Sequence, residues 1–473
     1  MSNTLMVGVS GIRGIVGTDL TPENVARYAA AFGVWAINGR EAGTGSRSRR
    51  IRVVVGRDAR TSGPMLQAAA VAGLQSVGVD IVDIGLTTTP TIQLAVEHHR
   101  ARGGIILTAS HNPIEWNALK FVGADGIFLD TVDGARVRDL AAGDSLPRAD
   151  WSGIGQVLED DTSITRHLDL ILKLKAIDVR AIRKRRFRVA LDCVRGAGGA
   201  IMPELFERLG CRVVAINLET DGRFPRPPEP IPANLTALGR LVRSKKADLG
   251  VAVDPDVDRL ALVDERGRAI GEDYTLAFAV RALLGKRKPG AGSRPLRGKT
   301  GPVVVNLSTS LVVDDAARDG GVDIMRAPVG EAHVARMILG TRSPIGGEGN
   351  GGVMYPALHA GRDAPLAAAM VLALLARVQR PVSEIVAAHP RYVIVKGKVP
   401  RGAALDRVYQ ALRSRFPDAG VNTDDGLRLA WKDRWLHVRP SNTEPIIRLI
   451  AEAPTGADAE LLVEEGRRVC AAS

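Results

Sequence analysis

RVVVGRDARTSG, Arg52 to Gly63, opens on three valines and breaks into small and polar residues at Gly56. A β-branched run fits a strand buried on both faces. The Gly, Asp, Ser and Gly that follow are turn formers. A helical stretch comes next, then a glycine exit into a second short strand, GVDIVDIG from Gly78. Strand, helix and strand within about 30 residues make a right-handed βαβ unit with parallel strands. The same order recurs twice. RVALDCVRGAGG starts at Arg188 and exits at GCRVVAIN from Gly210; PVVVNLSTSLVV starts at Pro302 and exits at GVDIMRAP from Gly321. The repetition predicts three related mixed α/β domains.

Each unit runs on to one more short strand. GGIILT (103–108) opens into ASHNP, and DLGVAV (248–253) opens into DPDVDR. SPIGGEGNGG (343–352) is a glycine-rich loop around Glu348. In open α/β sheets, ligands gather beyond the carboxyl ends of strands. The three loops are therefore expected to face one cleft. The end of the chain departs from this pattern. YVIVKGKV from Tyr392 reads as a strand, and LRLAWKD with RWLHVRP from Leu427 as a hairpin. PIIRLIAEA (445–453) is a further strand, and the tail from Asp458 is helical, giving a C-terminal α+β domain. The expected boundaries are 1–155, 156–266, 267–386 and 387–473. The stretch 381–392 is the expected hinge before the last domain.

The net charge is +12. Its excess is concentrated in Arg40 to Arg50, Arg180 to Arg188 and Lys286 to Lys299. A polyanion-binding module is the non-enzymatic reading of these segments. None interleaves aromatic residues with its cations, as a platform for single strands would. They read as solvated loops, so no nucleic-acid partner is expected. No apolar run approaches the ~20 residues of a membrane span. The N-terminus lacks the basic-then-apolar order of an export signal. Cys193, Cys211 and Cys470 have no metal or disulfide spacing. The expectation is a cytoplasmic protein with no membrane partner, as a monomer or homodimer.

Asp254, Asp256 and Asp258 recur at period two after a strand, which places three carboxylates on one side of an extended loop. Hard oxygens in that number suit Mg²⁺. Without a cation they would repel one another. An EF-hand is excluded, because Arg259 stands where its glycine is required and strands flank the loop. Ser110 needs a base or an adjacent cation to act as a nucleophile. His111 is next to it in sequence. Lys120 is the only lysine before Lys173 in an arginine-rich stretch, and lysine, unlike arginine, can give up its proton. RPSNTEP offers Arg439 as a planar fork and Ser441, Asn442 and Thr443 as further donors, an anion site. A metal site plus a separate phosphate site points to phosphoryl transfer.

These motifs, in this order, resemble the α-D-phosphohexomutase superfamily. TASHNP is similar to its phosphoserine loop, DPDVDR to its DGDGDR-type metal loop, GEGNGG to its GEMSGH-type sugar loop and RPSNTEP to its phosphate loop. GIRG at 11–14 and GRDARTSG at 56–63 also match. The resemblance implies four domains around a central cleft and a Ser110 that carries a phosphoryl group. It implies Mg²⁺ between that group and Asp254, Asp256 and Asp258. Lys120 would be the general acid/base, with Arg13 and His111 near the transferring group. Arg259, Glu348 and Asn350 would bind the sugar, and Arg439, Ser441, Asn442 and Thr443 the phosphate that is not reacting. The substrate would be a sugar phosphate, and a hexose 1,6-bisphosphate would be both intermediate and activator. The pattern departs at Asn350, where serine is common, and at Gly352, where histidine is. The chain looks closest to the glucosamine-phosphate branch, with mannose and glucose phosphates the near alternative. A haloacid-dehalogenase-type phosphatase, with Asp254 as nucleophile, is the more distant one.

Overall fold

The computed structural model describes residues 5–8, 11–39, 50–285, 301–402, 404–441 and 446–472. The segments Arg40 to Arg49 and Lys286 to Lys299, and the residues Asn442 and Thr443, lie outside the described residues.

The three repeats share one sheet plan. In the first, the strand Arg52–Arg57 lies between Asp80–Leu86 and Gly103–Leu107, all parallel. Trp116–Gly123 then pairs antiparallel to Gly103–Leu107. In the second, Arg188–Asp192 lies between Arg212–Ile216 and Leu249–Val253, and Leu260–Val263 returns antiparallel. In the third, Val303–Asn306 lies between Ile324–Ala327 and Gly346–Glu348, and Gly352–Tyr355 returns antiparallel. In each case the motif loop joins the third strand to its antiparallel return. GGIIL and LGVAV are buried at every position, as strands covered on both faces must be.

The first sheet is widened to seven strands. Gly11–Ile15 pairs with Trp116–Gly123, and Met6–Gly8 pairs outside it. On the far edge Val157–Glu159 pairs with Asp80–Leu86. That strand belongs to the first sheet, although its residues fall in the stretch expected to form the second domain. The fourth sheet is antiparallel throughout, with Val393–Pro400 and Ile446–Ala453 at one side and Trp435–Pro440, Leu427–Ala430 and Gly420–Asn422 beyond. Helices Leu405–Arg415 and Gly456–Ala472 cover its apolar face, where Val408, Leu412, Leu436, Leu449 and Val463 form a core of their own.

The second and third units share one large core on one face of their sheets, with a smaller cluster on the other face of each. One apolar cluster runs from Leu168 and Leu191 through Phe278 and Val305 to Val371 and Ile385. The helix Ala364–Val378, apolar nearly all round, fills its middle. The expected hinge is therefore partly anchored. Val382–Ala387 is helical, with Val382 and Ile385 in this shared core. The basic stretch at 180–188 forms the helix Val179–Arg185, of which only Ile182 is buried, a solvated cationic face. No described helix is long and apolar enough to cross a membrane.

Candidate active site

Ser110 stands just past the strand Gly103–Leu107, in the left-handed region at φ +50°. A non-glycine residue there must be held. Its N–H donates to Thr108 Oγ1 (2.9 Å), whose hydroxyl donates to Asp58 Oδ2 (2.6 Å). Arg60, fully buried, braces the loop. Its Nη2 donates to the carbonyls of Ser110 and Asn112 (both 2.7 Å), and its Nη1 to those of Pro113 (2.6 Å) and Trp116 (2.8 Å). Asp58 Oδ2 lies 3.3 Å from Arg60 Nε. So fixed, Ser110 Oγ donates to Asp254 Oδ2 across 2.9 Å.

Asp254, Asp256 and Asp258 are all buried, and one carboxylate oxygen from each lies within 4.8 Å of the others. The second oxygens have anchors. Asp256 Oδ2 accepts from Lys120 Nζ (3.0 Å) and from Thr89 Oγ1 (2.8 Å), while Thr89 N–H donates to the Asp256 carbonyl (2.9 Å). Thr89 begins the helix Thr89–His98, so Asp256 sits at the positive end of its dipole. Asp258 Oδ2 accepts from Arg362 Nη2 (2.6 Å). Asp256 Oδ1 and Asp258 Oδ1 are buried and accept nothing. Buried acceptors are normally satisfied. Two such acceptors within one three-carboxylate cluster fit a hard cation. Burial and the charges of Asp258 and Asp256 push the Asp254 carboxyl well up. Asp256, against burial, is held below the ordinary range by Lys120. Val257, between Asp256 and Asp258, is itself at φ +62°, a strained setting for a β-branched residue.

Gly11 pairs with Lys120 and Arg13 with Ala118 across the antiparallel ladder, so Arg13 and Lys120 share one face of the sheet. Arg13 Nη1 donates to Asn112 Oδ1 (2.9 Å). His111 Nδ1 is 3.4 Å from Ser110 Oγ. The charge of Arg259, then burial and Arg13, hold His111 well below its ordinary pKa. It is a neutral imidazole in this setting. Arg259 N–H donates to Asp254 Oδ1 (3.2 Å), and its Nη1 lies 3.5 Å from Glu229 Oε1.

Glu348 lies at the end of Gly346–Glu348 and is buried. Its Oε1 accepts from Asn306 Nδ2 (2.9 Å) and Gly330 N–H (3.1 Å), and its Oε2 from Arg362 Nη1 (2.6 Å). Asn350 Nδ2 reaches the same Oε2 at 3.4 Å, and Asn350 Oδ1 accepts from Gly352 N–H. Arg362 and Asn306 hold the Glu348 carboxyl below its ordinary range against burial.

The fourth unit docks on the third. Arg439 is buried, with its Nε 3.1 Å from Asp425 Oδ2, which also accepts from Val329 N–H (3.1 Å). Ser441 is buried, and its N–H donates to the Ile446 carbonyl. His437 Nδ1 lies 2.8 Å from Ser308 Oγ, and Glu452 Oε2 accepts from Leu311 N–H (2.9 Å) and Trp435 Nε1 (2.7 Å).

The structure thus brings Ser110, His111, Lys120, Arg13, the three aspartates and Arg259 together, with Glu348 and Asn350 joined to them through Arg362. Sequence motifs pointed to these residues but not to Arg60, Thr89, Glu331 or Arg362. Arg60 lay inside a matching stretch, GRDARTSG, without a role. Arg362 had no local signal.

The chain belongs to the phosphoglucomutase/phosphomannomutase family, and is thus a phosphohexomutase, an isomerase working by intramolecular phosphoryl transfer. Residues 4–146, 165–267 and 272–392 match its alpha/beta/alpha domains I, II and III, and residues 394–469 its C-terminal domain. Among its relatives is a phosphoglucomutase/phosphomannomutase of Thermococcus kodakarensis, 38% identical over 98% of this chain and 97% of the relative. A probable phosphoglucosamine mutase of Methanopyrus kandleri is 36% identical over 97% of this chain and 96% of its own. A crystal structure of a phosphoglucomutase/phosphomannomutase family protein from Burkholderia thailandensis superposes with TM-score 0.83 at 26% identity, covering 100% of this chain and 98% of that one.

Proposed function

We propose that this chain interconverts glucosamine 6-phosphate and glucosamine 1-phosphate through a phosphoserine at Ser110 and a 1,6-bisphosphate. The observation that carries the chemistry is Ser110 Oγ, 2.9 Å from Asp254 in a buried three-aspartate cage. The glucosamine preference rests on relatives named probable phosphoglucosamine mutase.

In the first half-reaction the bond from phosphorus to Ser110 Oγ breaks, and a bond from phosphorus to a sugar hydroxyl oxygen forms. The hydroxyl proton leaves to a base. Lys120 is placed for that role, on the same face as Arg13 and hydrogen-bonded to Asp256. After the bisphosphate turns over in the cleft, its other phosphoryl returns to Ser110 Oγ and the proton goes back. Arg13 and Arg259 offer positive charge to the moving group. His111, neutral, shapes the loop. Glu348 and Asn350 accept and donate to sugar hydroxyls. Arg439 and Ser441, with Asn442 and Thr443, grip the idle phosphate. Ser110, Asp254, Asp256 and Asp258 would hold Mg²⁺, which would supply positive charge to the phosphoryl oxygens when bound. The bisphosphate would also rephosphorylate enzyme that had lost its phosphate. Free thiols at Cys193, Cys211 and Cys470 support a reducing compartment, the cytoplasm.

A second reading has its own support. A phosphoglucomutase/phosphomannomutase relative at 38% identity favours glucose and mannose phosphates. Coupled assays on the 1-phosphates of glucosamine, glucose, mannose and N-acetylglucosamine separate the two. A kcat/KM for glucosamine at or below that for mannose or glucose overturns the first. Intact mass after bisphosphate treatment tests the carrier: a phosphate adduct in the native enzyme and none in Ser110→Ala is expected. Label that persists in Ser110→Ala and is lost in hydroxylamine would instead mark an aspartyl phosphate.

A further inference from the structure

Gly352 does not need a glycine's backbone. It is absent from the glycines with positive φ. What excludes a side chain there is a neighbour: a Cβ on Gly352 would lie 2.2 Å from Arg362 Cδ and 2.8 Å from Arg362 Cγ. The family pattern commonly carries a histidine at this position of the sugar loop. Here the space is filled from His359–Arg362, the adjacent antiparallel strand of the same sheet.

Arg362 is buried and spends its whole fork on three carboxylates. Nη2 meets Asp258 Oδ2 at 2.6 Å, Nη1 meets Glu348 Oε2 at 2.6 Å, and Nε lies 3.1 Å from Glu331 Oε2. Its own N–H also faces Glu331 Oε1 at 3.3 Å. Glu331 is held in turn by Gln93 Nε2 at 3.1 Å, from the helix that starts at Thr89. One rigid, planar group therefore fixes an aspartate of the metal loop and the glutamate of the sugar loop together.

We propose that Arg362 is the positioning residue joining these two loops, and that Gly352 and Arg362 are a matched pair in which the lack of a side chain at 352 leaves room for the arginine stem. The proposal rests on the phosphohexomutase reading of the site. Arg362 takes Oδ2 of Asp258, so Oδ1, which accepts no hydrogen bond and has only the Arg259 Nε at 3.7 Å beside it, is the oxygen left for a cation. It takes Oε2 of Glu348, while Asn306 and Gly330 take Oε1, so the carboxylate plane offered to the sugar is set. A guanidinium does not trade protons near neutrality. The role is therefore to orient.

The test uses the full-length enzyme and two readouts: Mn²⁺ affinity, from free Mn²⁺ in an electron-spin titration, and KM and kcat for glucose 1-phosphate with its bisphosphate. Groups that orient metal ligands are worth about 10- to 100-fold in metal affinity. Arg362→Lys, which keeps the charge but loses the fork, is expected to weaken Mn²⁺ binding by about that factor and to raise KM more than it lowers kcat. Gly352→Ala, with Arg362 intact, is expected to do the same, because its methyl group displaces the arginine stem. The double variant Gly352→Ala/Arg362→Lys should be no worse than the poorer single, because both changes act through the same guanidinium. Mn²⁺ affinity within twofold of the native value in either single variant overturns the proposal, as do fully multiplicative losses in the double. If Arg362→Lys does not fold, Gly352→Ala decides by itself. If native enzyme turns over no sugar phosphate, the functional reading fails, while the Mn²⁺ titration still decides the positioning.

Discussion

Arg60→Lys isolates the brace under the phosphoserine loop. Arg60 makes four charge-assisted bonds, to the carbonyls of Ser110, Asn112, Pro113 and Trp116. A lysine keeps the charge beside Asp58, so no buried carboxylate is orphaned. Its single ammonium cannot span carbonyls that two separate guanidinium nitrogens now reach. About two of the four bonds are lost, at roughly 1.5 kcal/mol each. That is about 3 kcal/mol, or near 100-fold in the local opening equilibrium. Hydrogen exchange on peptides covering 108–116 should speed up by about that factor, while Val53 to Val55 in the adjacent strand stay protected. The left-handed Ser110 then loses its fixed aim at Asp254. Since a misplacement of about 1 Å costs on the order of 100-fold in rate, kcat should fall steeply with a modest change in KM. Protection and kcat both within threefold of the native enzyme would show that the loop is held without Arg60.

Three further outcomes follow from single contacts. Thr89→Val removes the hydroxyl donor to Asp256 Oδ2 but keeps the backbone bond, so Mn²⁺ binding by calorimetry should weaken about tenfold with little change in Tm. Burial lowers the pKa of His437 from 6.5 to about 4. The unfolded chain therefore binds the extra proton first, and stability is lost as pH falls from about 6.5 toward 4, by about 2 kcal/mol at pH 5. Urea unfolding at pH 7.5 and 5 should show this loss in native protein and not in His437→Gln; equal losses in both would assign it elsewhere. Gly11→Ala should cost at least about 2 kcal/mol, since Gly11 is at φ +144° and a Cβ would meet the Leu119 carbonyl oxygen at 1.8 Å. It should also lower kcat through Arg13 two residues on; an unchanged Tm would contradict the close approach.

The sheets were legible because their central strands are unbroken apolar runs, and the loops because carboxylates or serine follow such runs directly. What stayed hidden is of a different kind. Val157–Glu159 is exposed at all three positions and is held only by backbone pairing to Asp80–Leu86, so no side-chain pattern marks it. Arg60 and Arg362 look like surface charges in the sequence. Their burial depends on acceptors that arrive from as far as 56 residues away for Arg60 and 104 for Arg362. Thr89 reads as one of three threonines, and only the fold places Asp256 beside it. The hinge was read too wide because PVSEIV is short and mixed, and its Val382 and Ile385 are claimed by a core built mostly upstream.

The continuous core beneath the second and third units has a bearing on how this chain can be taken apart and recombined. A crossover at 266 between this protein and a distant relative would ask Leu191, Phe206 and Val253 to pack against a foreign version of Phe278 and Val371. Such a hybrid inherits a mismatched interior from two parents. A crossover near 390 meets Tyr392 against the shared core and otherwise polar handshakes such as His437 with Ser308, Glu452 with Leu311 and Asp425 with Val329, and delivers a last unit that brings its own interior with it. Of the four family domains, the most readily exchanged is therefore the last, the one that carries Arg439.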